Sequence, residues 1–370
     1  MNSALDTSMM ARALQLAALG QYSAMPNPHV GCVLLRDGHV IGEGFTQPAG
    51  GNHAEVEAIN HCEDTRGATA YVTLEPCSHH GKTGPCADAL IAAGVARVVI
   101  ALEDPNPEVN GKGIEKLRAA GVEVSSGLLA AEAARLIPGF ISRMSAGRPR
   151  IRAKLAMSMD GRTAMASGES QWITGPAARA DVQRLRAASC AIVTGVGTVL
   201  SDDCSLTVRA EELGLSEDAA TLAVQRQPLR VVLDSNLRTP AGSKILDASS
   251  STIVFHNMDC EFPEALQSSA DKLLGLKNGP GGLDLSAMVN ELSRRQCNEI
   301  LVESGPRLAG ALLQAGLLDE LIVYMAPLLM GDKARPLLGL PLDLMSEKVQ
   351  LDVHDVRKIG QDWRFTARPV

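Results

Sequence analysis

Apolar and polar residues alternate with two periods in the first part of the chain, and the switches between periods mark its elements. Residues 1–21 follow a helical period, with Met9, Ala13, Leu16 and Ala17 on one stripe, so an amphipathic helix is predicted there rather than a secretion signal. Residues 30–35 and 39–44 read as two strands of a β-hairpin around the turn Arg36-Asp37-Gly38. A helix over 54–63, a strand over 70–73, a helix over 86–93 stopped by Gly94, and a strand over 98–101 follow. After a Pro/Asn loop at 104–110 come a helix over 114–120 and a strand over 122–124. Such alternation implies a sheet flanked by helices.

Ser145-Ala146-Gly147-Arg148-Pro149 reads as a linker, placing a boundary after Ala146. A second α/β pattern begins beyond it. Buried strands are predicted over 151–157, 191–196, 229–233, 252–256 and 299–303, with helices over 176–188 and 306–315. Residues 211–225 read as a helix or an insertion, and no internal repeat is seen.

Composition narrows the function. The 370 residues are 45% apolar and 21% charged, as in an ordinary globular protein of two or three domains. Only 3% are aromatic and the net charge is −7, which argues against a nucleic-acid partner. No apolar run approaches the roughly 20 residues of a membrane span. The eight cysteines lack a disulfide-like framework, which points to reduced thiols in a cytoplasmic protein and to metal binding wherever two share ligand spacing.

The strongest chemical signal is His53-Ala54-Glu55 followed by Pro76-Cys77 and, eight residues on, Cys86. One imidazole and two thiolates supply the three protein ligands of a catalytic zinc and leave a position open. Glu55, two residues past the histidine, is the candidate general acid/base, and the arrangement is that of zinc deaminases. Both His53 and Cys86 fall at predicted helix starts. A structural zinc closed by His79 or His80 is the plainer alternative.

The loop Pro76-Cys77-Ser78-His79-His80-Gly81-Lys82-Thr83-Gly84-Pro85-Cys86, with Pro26-Asn27-Pro28-His29-Val30-Gly31 upstream, resembles the bifunctional riboflavin-biosynthesis deaminase–reductases, and the likeness spans nearly the whole chain. It implies an α/β protein: a cytidine-deaminase-like three-layer domain over 1–146, carrying the zinc-dependent pyrimidine deaminase, then a dihydrofolate-reductase-like domain over 147–370, carrying the NADPH-dependent reductase. The first would remove the 2-amino group of 2,5-diamino-6-(5-phosphoribosylamino)pyrimidin-4-one, and the second would reduce the ribose to a ribityl chain. Asn27, His79 and Lys82 would contact the substrate. One departure stands out: Gly42-Glu43-Gly44-Phe45-Thr46 carries threonine where the family commonly has histidine. The resemblance also suggests a homodimer or tetramer built through the reductase half.

In that half, Lys154 lies on a strand that runs into Met159-Asp160-Gly161, and Gly195-Val196-Gly197 follows another strand without completing a Rossmann fingerprint. Glu303-Ser304-Gly305-Pro306-Arg307-Leu308-Ala309-Gly310 follows a strand and opens a helix, whose free amides suit a pyrophosphate. The resemblance makes Ala156, Trp172, Thr198, Asp202, Ser235, Gly305, Pro306, Arg307, Leu308, Ala309, Gly310 and Ala311 cofactor contacts. It gives Ser170, Arg186, Leu206, Arg209 and Glu303 to the substrate. Arg186 and Arg209 suit a phosphate clamp, and Lys154 is the candidate for polarising the sugar oxygens. Taken singly, Trp172 reads as core and Arg186 as a surface charge. Two rival readings remain: a nucleic-acid base deaminase with an unrelated second domain, and a structural zinc module on a binding domain.

Overall fold

Ser3 starts the first helix, α1 (Ala4–Leu19), through a capping box: its hydroxyl accepts from the Asp6 amide while the Asp6 carboxylate accepts from the Ser3 amide. The computed structural model describes residues 3–79, 84–261, 263–267, 272–279 and 281–370. It divides into two compact units, Met1–Arg148 and Pro149–Val370.

The first unit is built on strands β1 (Gly31–Arg36), β2 (His39–Phe45), β3 (Thr69–Leu74), β4 (Arg97–Leu102) and β5 (Glu123–Ser126), in the order β2-β1-β3-β4-β5. β1 is antiparallel to both β2 and β3, whereas β3, β4 and β5 are parallel. Asp37 and Gly38, both at positive φ, make the tight turn predicted at Arg36-Asp37-Gly38. Helices α2 (Ala54–Asn60), α3 (Cys86–Ala92), α4 (Lys112–Ala119) and α6 (Pro138–Ala146) cover one face. Helices α1 and α5 (Ala130–Leu136) cover the other, giving three layers. Met10 rather than Met9 is the fully buried methionine of α1. A side chain at Gly31 would lie 1.9 Å from the Ala13 carbonyl, so α1 can approach β1 only over a glycine. Asp6, on the buried face of α1, accepts from Tyr71 Oη at 2.8 Å and from Arg97 at 2.8 and 3.2 Å.

In the second unit the strands are β6 (Arg150–Ser158), β7 (Arg162–Ala164), β8 (Ala191–Gly195), β9 (Leu229–Leu233), β10 (Thr252–Asn257), β11 (Lys272–Leu276), β12 (Asn278–Gly279), β13 (Gly282–Leu283), β14 (Glu299–Glu303), β15 (Glu320–Ala326), β16 (Arg335–Pro336), β17 (Leu351–Ile359) and β18 (Asp362–Pro369). Nine form one sheet in the order β11-β10-β9-β8-β14-β6-β15-β18-β17, parallel from β11 to β15 and antiparallel beyond. Two small pairs, β12-β13 and β16-β7, complete the strands. The helices are α7 (Pro176–Ala187), α8 (Val196–Asp202), α9 (Glu217–Val224), α10 (Glu264–Gln267), α11 (Leu285–Arg294) and α12 (Pro306–Gln314).

The two ends of this parallel sheet differ. At the amino end, Arg150 and Arg152 are spent on Glu320 and Glu299 at 2.6 and 3.1 Å. The carboxyl end opens into the loops that carry the predicted cofactor and substrate residues, as in other parallel sheets.

Candidate active sites

Topology brings four loops of the first unit to one sheet edge. Because β1 runs against β3, the segment entering β1 (Asn27) lies with those leaving β2 (Thr46), β3 (Cys77) and β4 (Asp104). His53 is the N-cap of α2, Glu55 lies in its first turn, and Cys86 is the first residue of α3. His53 Nδ1 lies 3.2 Å from Cys86 Sγ and 3.7 Å from Cys77 Sγ. The three donor atoms all lie within 4.8 Å of one another. Zinc bonded to sulfur at about 2.3 Å and to nitrogen at about 2.0–2.1 Å in a tetrahedron separates such donors by roughly 3.5–3.8 Å, so this set fits the ion. Among the described residues no fourth side chain joins the cluster: His79 is exposed and apart from it, while His80 and Lys82 lie outside the described residues.

Electrostatics favour a metal-ready thiolate. The Cys77 thiol is held down at about 4, chiefly by the hydrogen bond from the Cys86 thiol, with help from His53 and the Cys86 amide and against burial. Cys86, the donor of that bond, is pushed up, and His53 is raised by its bond to Cys77. Glu55 is only 3% exposed, and burial, reinforced by the nearby Cys77 thiolate, lifts its carboxyl to about 7. A carboxyl poised there can both take and return a proton at neutral pH.

Two acids that the sequence pattern does not single out support this edge. Glu75, buried just before Pro76-Cys77, accepts from the amides of Asp104 (3.2 Å), Gly111 (3.0 Å), Gly113 (2.9 Å) and Ile114 (3.2 Å). It thereby ties the Cys77 segment to the loop after β4. Asp104 is buried and its carboxyl is pushed up to about 6 by desolvation. The signal for both was present: an acid closing each of two adjacent strands, Glu75 and Asp104. Thr46 is not free to face a ligand through its hydroxyl, which accepts from the Val30 amide at 2.9 Å. Asn27 is half-buried on the loop entering β1.

In the second unit, strand register collects the predicted residues. Lys154 on β6 is paired with Glu303 on β14, and Ala156 with Tyr324 on β15. Lys154 Nζ lies 5.9 Å from the centroid of the Tyr324 ring, and burial lowers its pKa. Glu303 binds Arg186 through both oxygens, at 2.6 and 3.0 Å, and Arg186 also donates to the Thr207 carbonyl at 3.1 Å. Arg186 is thus neither a surface charge nor a free arm of a phosphate clamp; it fixes Glu303 and the loop after Asp203. Arg209 keeps its ion pair with Glu212 at 2.7 Å on the exposed side, where it can exchange partners. Leu206 is buried at positive φ in the same loop. Trp172, 70% exposed, belongs to the rim and not to the core, with the Arg179 guanidinium 4.8 Å from its ring centroid. Ser170 is half-buried on the same rim segment.

Space for a nucleotide follows from the glycines. A methyl group added at Gly195, Gly197 or Gly305 meets nothing within 4 Å, so backbone faces open space at the ends of β8 and β14. Gly305 caps α12 without a side chain, leaving the first amides of Pro306–Gln314 free for a pyrophosphate. Thr198, Asp202 and Ser235 lie on the neighbouring α8 and the turn after β9, and Arg307, Leu308, Ala309, Gly310 and Ala311 continue α12. Gly310 also lets α12 touch the chain at Gly339, where a side chain would lie 2.4 Å from the carbonyl. Open backbone at Gly195, Gly197 and Gly305 and a helix start without a side-chain cap suit a dinucleotide such as NADPH.

Comparison with known proteins finds relatives of both units. Residues 3–102 match the cytidine and deoxycytidylate deaminase zinc-binding region, and residues 149–365 match the RibD C-terminal domain. The riboflavin biosynthesis protein RibD of Escherichia coli K12 is 51% identical over 364 residues, 96% of this chain and 97% of that protein. That of Haemophilus influenzae is 44% identical over 372 residues, covering 99% and 98%. A solved structure of Acinetobacter baumannii RibD superposes with a TM-score of 0.90 at 42% identity over 99% of both chains. The diaminohydroxyphosphoribosylaminopyrimidine deaminase/5-amino-6-(5-phosphoribosylamino)uracil reductase of Thermotoga maritima gives 0.84 at 33% identity over 99% of both.

Proposed function

The chain belongs to the RibD family of riboflavin-biosynthesis proteins, and from that premise we propose how its residues divide two reactions on one small-molecule substrate. The protein is a bifunctional enzyme, a zinc-dependent deaminase and an NADPH-dependent reductase. We assign the deaminase to residues 1–146 and the reductase to 147–370. The single observation that carries the first assignment is the His53-Cys77-Cys86 donor set with buried Glu55 against it.

In the first unit, His53, Cys77 and Cys86 would hold zinc, which when bound would supply a Lewis acid that makes water acidic near neutral pH. Glu55 takes a proton from the attacking water and returns it to the exocyclic nitrogen, so that the amino group of 2,5-diamino-6-(5-phosphoribosylamino)pyrimidin-4-one leaves as ammonia and a carbonyl replaces it. Glu75 holds the Cys77 segment at the required place. Asn27, His79 and Lys82 bind the substrate.

For the second unit, residues at the carboxyl ends of β6, β8, β9 and β14 would hold NADPH, which when bound would supply the hydride that turns the ribose into a ribityl chain. Lys154, whose pKa burial lowers, delivers the proton that the ring oxygen takes up as its bond to C1′ breaks, leaving an iminium at C1′ as the hydride acceptor. Glu303, locked by Arg186, orients the ribose, while Arg209 binds its phosphate together with Ser170 and the Leu206 backbone. Ala156, Trp172, Thr198, Asp202, Ser235 and residues 305–311 hold the cofactor.

We further propose a cytoplasmic homo-oligomer, consistent with eight cysteines outside any disulfide and with half-exposed Val353 and Val356 on the sheet's outer strand β17. Among the described residues, no helix is long and apolar enough to cross a membrane.

The decisive experiment follows metal content, ammonia release and NADPH oxidation on the diaminopyrimidine substrate, with and without a chelator. Chelation is expected to stop ammonia release and spare reduction of deaminated substrate. Undiminished deamination by metal-free protein would overturn the assignment.

A further inference from the structure

We infer that Arg238, in the turn after β9, reads the 2′-phosphate of the cofactor and makes this chain select NADPH over NADH. The inference rests on the proposed placement of the cofactor along the carboxyl edge of the nine-stranded sheet. Along that edge β14 neighbours β8 and β8 neighbours β9, with Leu233 at the end of β9 in register with Gly195. The turn after β9 therefore lies two strand spacings, about 10 Å, from the strand that leads to Gly305. A dinucleotide with its pyrophosphate on the α12 amides extends its adenosine half along this row of strand ends.

The turn is built before any ligand arrives. Asp234 is fully buried, and its Oδ2 accepts from the Thr239 amide at 2.7 Å and the Thr239 hydroxyl at 2.8 Å. Leu237 is buried at positive φ and donates to the Asp234 carbonyl at 3.2 Å, while the Asn257 amide donates to the Ser235 carbonyl at 3.1 Å. The backbone is pinned, yet the Arg238 side chain stays 59% exposed, its Nε in a long ion pair with Asp234 Oδ1 at 3.9 Å that leaves the guanidinium fork open.

Two further points favour a phosphate here. An acid at a strand end can serve a cofactor lacking the 2′-phosphate by accepting from the ribose hydroxyl. Here the acid at that place, Asp234, is fully buried, with Oδ2 accepting twice from Thr239 and Oδ1 turned toward Arg238. Two other cations of the region stand in an exposed ion pair or on α12. Lys244 is paired with Asp203 at 3.1 Å, and Arg307 stands on α12, where the pyrophosphate common to both cofactors would bind. A guanidinium fork matches a phosphate ester bidentately.

Titration calorimetry of the full chain with NADP+ and NAD+ tests this without reference to turnover. Wild type should bind NADP+ the more tightly. Arg238→Gln should weaken NADP+ by about tenfold to hundredfold, the range for a lost charge-assisted contact, and leave NAD+ within about twofold. Arg238→Lys should recover part of the preference, and Arg307→Gln should weaken both cofactors alike. Equal weakening of both by Arg238→Gln, or no change in either, overturns the role of Arg238. Failure of the wild-type chain to bind NADP+ at all overturns the cofactor reading beneath it as well.

Discussion

The two sites are built on opposite principles. In the deaminase unit the donor atoms crowd within 4.8 Å and carry their own electrostatic preparation, with Cys77 held down and Glu55 pushed up. In the reductase unit the groups are spread over the ends of β6, β8, β9 and β14, and the densest cluster, Arg186-Glu303-Lys154, is closed on itself. An ion demands that the protein bring specific side chains together whatever the substrate. A dinucleotide instead needs open backbone, free amides and a few cations at measured intervals. Removing single residues should therefore break the first site outright and only weaken the second.

Cys77→Ser should have the largest effect. Metal analysis should show about one zinc per chain falling to near zero, with deamination lost and reduction of deaminated substrate unchanged. Retained zinc in that variant would contradict the three-ligand assignment. Glu55→Gln should lower deamination by about 10²–10⁴-fold while zinc stays bound, because it removes only the proton carrier. Normal ammonia release from this variant would end the role given to Glu55.

Lys154→Ala should reduce the hydride-transfer rate by about 10²-fold in single-turnover measurements of NADPH absorbance, with cofactor affinity unchanged. Weakened NADP+ binding at a normal rate would instead make Lys154 a cofactor contact. The smallest effect concerns stability. Arg97 and Tyr71 hold the Asp6 carboxyl well below its ordinary range, Arg97 chiefly. The charged form is thus favoured in the folded state. That stabilisation is fully present above the ordinary carboxylate pKa of about 3.9 and is lost as pH falls below it. Asp6→Asn should cost the first unit about 1–3 kcal/mol in denaturant unfolding at pH 7, and the difference from wild type should shrink in acid. A gap that stays constant down to pH 2 would show that Asp6 contributes only packing.

Much of the fold was legible because local patterns were strong. Asp37-Gly38 marked the hairpin, Gly94 marked the end of α3, and the buried strands β8, β9 and β14 were read almost to the residue. The long β17-β18 hairpin passed unread, since its outer strand is largely exposed and lacks a one-sided apolar alternation. Helices α5 and α6 were missed as well; they are short, and the second begins at Pro138. The unit boundary at Arg148/Pro149 falls two residues past the expected one, because α6 runs to Ala146 and Gly147 caps it.

What the sequence determined by itself was the inventory of chemistry: one imidazole, two thiols and a carboxyl at a spacing that only a metal explains, and a glycine-led helix start suited to phosphate. What tertiary structure decided was which charges are free. It gave Arg186 to Glu303, buried Asp234, left Arg238 exposed, and spent the Thr46 hydroxyl on Val30. The reason is physical. Ligand spacing is a local property of a loop, whereas a side chain's partners and its exposure depend on strands that meet only when the sheet is assembled.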